Sequence, residues 1–207
     1  MMFVIVTVTM TIIIVKGEQR TVASTTRQDM ITGAAGLLSR RGLQATSFSE
    51  VLAATGAPRG SLYHHFPGGK DELVAEATRF VGDQLLGALA RLEPATPRDV
   101  VERFAAIWRR VLSGSDLEAG CAVAAVIVDA ADDHGELLAL AGSVFVEWQA
   151  ALAGLLERTG VPPDRAADLA LLLLVSVEGS LVVCRAEQSL EPFDRVTAQL
   201  VAVADQG

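Results

Sequence analysis

The sequence predicts an all-α protein, and three observations carry that prediction. Apolar residues recur at i, i+3, i+4 and i+7 through one segment after another instead of alternating. Serine and threonine stand at the starts of those segments, as at Ser47 with Glu50 three residues on, where a side chain can accept from a free helix N–H. Glycine and proline mark their borders, as at Gly42, Gly56, Pro58, Pro94, Pro97 and Pro192. The segments divide into an apolar N-terminal extension (1–22), a head of three short helices (23–80) and a longer helical body (81–207).

The extension opens with MMFVIVTVTMTIIIV, a β-branched and apolar run that ends at Lys16. A membrane-spanning helix needs about 20 residues, and a secretory signal needs a basic start and a small-residue cleavage site. Neither is present, so the stretch is expected to lie outside the fold, with a short membrane-associated anchor as the lesser reading. The first helix begins at a Thr25 or Thr26 cap, buries Ile31, Ala34, Ala35 and Leu38, and ends at Gly42 after Arg40 and Arg41, whose charges suit a helix C-terminus.

Ser47 to Phe66, SFSEVLAATGAPRGSLYHHF, describes two short helices joined by a tight turn. The first starts at the capping box Ser47/Glu50, carries Phe48, Val51 and Leu52 inward, and breaks at Gly56, which tolerates positive φ. Pro58 suits the opening of the second, where Leu62 and Phe66 face inward. That leaves Arg59, Ser61, Tyr63 and His64 outward, a set of donors that fits a groove walled by phosphates. Taken alone, the pattern fits a DNA-reading unit and an ordinary helical hairpin equally well.

Beyond Pro67-Gly68-Gly69, a long helix opens at Lys70-Asp71-Glu72 and runs through Leu73, Ala77, Phe80, Val81, Leu85, Ala88 and Leu92. Gly69-Lys70 lacks the earlier glycine, the Ser or Thr and the preceding strand of a phosphate-binding loop. Pro97 opens a helix bearing Val100, Phe104, Ile107, Trp108 and Val111. A small apolar stretch, 120–131, comes next, and then a helix over 136–159 with Leu140, Val144, Phe145, Trp148 and Leu152. Asp132, Asp133, His134 and Glu136 are metal-ligating types, but crowded at a helix junction they read as solvated caps, and no metal is expected. Leu169–Val183 is apolar on nearly all sides apart from Glu178, and Val196, Leu200 and Val203 mark a last amphipathic helix. A helix apolar all round must bury more than one face, so these two are expected to pack against a second copy of the chain.

The string GSLYHHFPGGKDEL resembles the TetR family of one-component transcription regulators, whose members carry Gly-x-Leu-Tyr-x-His-Phe and then a lysine opening the fourth helix. Here those residues are Gly60, Leu62, Tyr63, His65, Phe66 and Lys70, and the resemblance as motif covers about residues 25–81. The wording APRGSLY and PGGKD is similar to the branch related to lincomycin-resistance and flavonoid-responsive repressors. The resemblance implies that Tyr63 and Lys70 touch phosphates, that Arg59, Ser61 and His64 face the groove beside Gly60, and that Thr46 and Ser47 add phosphate contacts. Two residues depart from the family pattern: Pro58 stands where a capping serine is common, and Leu52 where a small alanine is. The family's last two long helices usually form a four-helix dimer interface, so a homodimer on a palindromic operator is implied.

A net charge of −8 sits oddly with DNA until the chain is split. Residues 1–80 hold 8 Lys and Arg against 6 Asp and Glu, giving +2, and residues 81–207 hold 9 against 19, giving −10. The acidic body helps turn the head toward the duplex, and so small a positive charge implies moderate salt sensitivity. Cys121 and Cys184, without CxxC spacing, read as reduced core residues in a cytoplasmic protein. There is no GxSxG, HExxH or dinucleotide fingerprint, so neither enzyme nor cofactor is expected. The rival reading is a dimeric small-molecule-binding or interaction protein whose head does not engage an operator.

Regulators of this kind answer a small effector in the body. An apolar or aromatic compound would meet Phe104, Trp108, Phe145 and Trp148, with Glu178 as polar anchor; the alternative for each aromatic is simple core filling. Buried, Glu178 requires a partner: a cationic ligand, an arginine such as Arg185, or the dimer axis.

Overall fold

The structure, a computed structural model, describes residues 27–130 and 134–206. The apolar extension, the Thr25/Thr26 cap and Asp132 with Asp133 lie outside those residues. Among the described residues there are nine α-helices and no strand: α1 (Arg27–Arg41), α2 (Phe48–Thr55), α3 (Arg59–His65), α4 (Lys70–Ala90), α5 (Pro97–Gly114), α6 (Ala122–Asp129), α7 (Gly135–Arg158), α8 (Pro163–Glu187) and α9 (Glu191–Ala204).

The head forms for the reasons its sequence suggests. Ile31, Ala34, Ala35 and Leu38 bury one face of α1, and Gly42 takes φ +78° to leave the helix. Ser47 caps α2 by accepting from the Glu50 amide at 3.2 Å. Only this half of the expected capping box forms, because the Glu50 carboxylate instead takes Arg41 Nη1 at 2.7 Å. Gly56 turns the chain at φ +72°, and Pro58 opens α3 without a side-chain cap. Leu62 and Phe66 are fully buried, and the Arg27 guanidinium lies 4.9 Å over the Phe66 ring.

In the body α7 packs along both α4 and α8, and α9 closes over α5 and α8. Gly82 sets the approach of α4 to α7: a Cβ there would lie 3.0 Å from a Val144 methyl, and the Gly82 carbonyl accepts from Trp148 Nε1 at 3.2 Å. Thr96 and Asp99 form a complete capping box at the start of α5. Its amide bonds hold the Asp99 carboxyl below the usual range. Arg109 joins α5 to α9 with a two-pronged pair to Asp194 at 2.7 and 3.0 Å, which lowers the Asp194 pKa.

α8 extends beyond the apolar core of its sequence at both ends. It buries Leu169, Leu173, Leu174, Val177 and Leu181, but leaves Leu171, Leu172, Val175, Val182 and Val183 exposed. Val203 of α9 joins them at the surface. By length and composition α7 and α8 could each cross a bilayer, but their buried faces are spent on neighbouring helices.

Candidate nucleic-acid interface and body cavity

α3 is seven residues long, so its outward face is small and legible. Arg59, Gly60, Tyr63 and His64 are exposed and Ser61 is half-buried. Tyr63 is 68% exposed yet not adrift: its ring meets Phe48 edge-on at 5.4 Å, which fixes the side chain against α2. Ser47 stays half-exposed, its hydroxyl shared with Ser49 at 2.8 Å.

Two residues expected at this surface are engaged elsewhere. Thr46 is 1% exposed and its hydroxyl donates to the Gly42 carbonyl at 2.8 Å, so its side chain closes the α1–α2 turn and presents no surface for a phosphate. Lys70 Nζ donates to the Leu43 carbonyl at 2.8 Å, tying α4 to the same turn. The ammonium keeps further donors beyond that bond.

The α1–α2 turn is also held by the body. Asp129, at the end of α6, accepts the Leu43 amide at 2.8 Å, and its backbone carbonyl accepts Gln44 Nε2 at 3.2 Å. Gly120 donates to the Ser39 carbonyl at 2.7 Å and Arg185 of α8 to the Arg40 carbonyl at 3.2 Å. A Cβ on Gly42 would collide with the Asp129 carboxylate, so the close approach requires glycine as firmly as the positive φ does. Sequence reading missed Asp129, because nothing local distinguishes it from the acidic residues of a helix C-terminus.

A cavity of about 190 Å³ opens between head and body. Its walls include Thr32 and Gly36 of α1, Phe80 and Gln84 of α4, Trp108 of α5 and Trp148 of α7. Of the five ligand-contacting candidates, the structure brings only the two tryptophans to this cavity, with ring centroids 6.2 Å apart. Phe104 is fully buried core, and Phe145 packs on Trp148 at 5.4 Å. Neither lines the cavity, whose further walls are drawn from α1, a helix of the head. Thr32, Ser39 and Arg40 were missed for the same reason: on a head helix they read as solvent-facing.

Glu178 lines a neighbouring depression together with Cys121, Arg40 and Arg185. Burial pushes its carboxyl up to about 7, against a lowering contribution from the Cys121 thiol. Its Oε1 is buried without a hydrogen-bond partner among the described residues, and Arg185 is not its partner, being turned to the Arg40 carbonyl. Burial likewise raises the Cys121 thiol, with Glu178 adding to the effect, so this cysteine is a poor nucleophile. Both cysteines are free and buried. No cluster of three or more potential metal ligands occurs among the described residues, and His134 lies beside Asp71 at 3.5 Å.

Comparison with known proteins agrees with this arrangement in both halves. The profile for bacterial regulatory proteins of the TetR family matches residues 30–77, and that for the C-terminal domain of LmrA/YxaF-like transcriptional regulators matches 97–199. An uncharacterized HTH-type transcriptional regulator of Mycobacterium tuberculosis is 36% identical over 179 residues, 84% of this chain and 91% of that one. The HTH-type transcriptional regulator LmrA of Bacillus subtilis is 23% identical over 83% of this chain and 93% of its own. Among solved structures, a TetR transcriptional regulator from Legionella pneumophila superposes with a TM-score of 0.76 at 19% identity, over 89% of this chain and 100% of that one. The helical head, the body behind it and these matches together make the chain a member of the TetR family of helix-turn-helix transcriptional regulators.

Proposed function

We propose that the protein is a cytoplasmic homodimeric repressor that leaves a palindromic operator when a small apolar or aromatic effector occupies the body. The single observation that carries the reading is that one helix, α1, serves both sites: it packs within the head and walls the cavity. An effector there acts on the head directly, without a relay through the body. In this reading Arg59, Ser61 and His64 face the groove beside Gly60, and Ser47, Tyr63 and Lys70 touch phosphates. The exposed apolar stripe on α8, continued by Val203, supports pairing through α8 and α9. Pairing would set two α3 helices about 34–36 Å apart, one turn of duplex. A repressor role draws support from KstR2 of Rhodococcus jostii, named a transcriptional repressor and 41% identical over 61 residues, 30% of this chain.

Effector and operator then favour different arrangements, so each lowers affinity for the other by the same factor. Gel-shift titration against the promoters of its own and adjacent genes tests the reading. Tyr63→Ala and Lys70→Ala should each weaken binding to every sequence by about tenfold, and Arg59→Ala should in addition relax preference at one operator position, a loss of about 1–3 kcal/mol there. Equal binding by parent and variants would remove α3 from the interface. Retained operator affinity at saturating effector would leave a DNA-binding protein without a switch.

A further inference from the structure

The two tryptophans at the cavity differ in one respect. Trp148 spends its indole N–H on the Gly82 carbonyl, whereas Trp108, also a wall of the cavity and only 5% exposed, buries its N–H with no acceptor among the described residues. A buried donor left unmade is costly, and native proteins rarely keep one without a use. No aspartate or glutamate is among the cavity's described walls; Arg40 is their one charged residue, and it is drawn to Glu118 at 3.5 Å. A cation would therefore enter without a counter-charge. The size is also limiting: a cavity of about 150 Å³ accommodates benzene, so 190 Å³ holds one aromatic ring with a few further atoms.

Resting on the reading of this body as effector-binding, we infer that the effector is a neutral molecule with a single aromatic ring and a carbonyl or comparable acceptor, held by a hydrogen bond from Trp108 Nε1 and seated against α1. The acceptor supplies the bond the protein lacks, and the ring takes the place beside Phe80 and Trp148. Thr32 and Gly36 then meet the ligand from the head side.

The full-length protein labelled with 15N at indole nitrogen gives two side-chain signals, one per tryptophan. Acetophenone should bind saturably and move the Trp108 indole proton downfield while Trp148 changes little. Ethylbenzene, of similar shape without the acceptor, should occupy the cavity without that downfield shift, and benzylamine, a cation, should not bind. Trp108→Phe should weaken acetophenone at least tenfold and ethylbenzene less than threefold. Saturable acetophenone binding that leaves the Trp108 signal in place, no acetophenone binding at all, tight benzylamine binding, or equal losses for both neutral probes in the variant would each overturn the inference. The parent's spectrum decides the matter if the variant does not fold. Operator release is read separately by gel shift: Trp108 engagement without release sinks the switch and leaves this assignment intact, and release by a probe that leaves the Trp108 signal unmoved does the reverse.

Discussion

Single residues in this protein carry more than their position in a helix suggests, and Glu178 shows it most clearly. Its folded pKa lies above the ordinary carboxylate value, so between about 4.5 and about 7 the folded state binds the proton that the unfolded state has released. Stability from this group is therefore complete only below about 4.5 and is lost progressively as pH rises from there through about 7. Glu178→Gln, which cannot ionise, should leave thermal stability near pH 4 little changed and raise it at pH 8 by an amount on the order of 3 kcal/mol. Parallel pH profiles of parent and variant, followed by circular dichroism, would refute this. Gly42 is the opposite kind of position, where any side chain is too much. Gly42→Ala should cost at least about 1–2 kcal/mol in urea unfolding for the left-handed backbone alone, with the crowding of Asp129 added.

Among the described helices, α8 carries the most exposed large apolar side chains. It carries Leu171, Leu172, Val175 and Val182 to solvent along one face, a row that folding by itself would not select. If that face joins two copies, Val175→Lys with Val182→Glu should give a monomer in sedimentation velocity while the helical circular dichroism spectrum is retained; a dimer of unchanged mass would move the interface elsewhere. Most of the helices were legible because they have a local start and stop, such as Ser47 and Gly56 for α2, or Pro97 and Gly114 for α5; α6 was not, since Cys121 at its start is no capping signal and 120–131 reads only as small and apolar. The exposed donors of α3 were legible for the same reason, since Leu62 and Phe66 fix which side faces out. The cavity was not. Its walls come from five helices and the segment before α6, and no local pattern reveals that Thr32 and Ser39 of α1 will share a cavity with Trp108. The burial of Thr46 was hidden too, because its partner is a backbone carbonyl rather than a residue type that a motif could name.

At the scale of the whole molecule, charge is segregated along the chain: residues 1–80 carry +2 and residues 81–207 carry −10. With Arg59 and Lys70 as the cations of each proposed interface, a dimer would displace about four counterions, so log K should fall against log salt with a slope of about −4. Titrations at four salt concentrations measure it, and a slope near −10 would mean a much wider footprint than α3 and the start of α4. The closing constraint comes from the bonds that Asp129, Gly120 and Arg185 extend to the end of α1 and its turn. They make the DNA-reading portion a poor cartridge. Fused to a foreign body, it would arrive without the acceptor for Leu43 and without the donors for Ser39 and Arg40. Exchanging head or body without the other therefore carries a mechanical penalty.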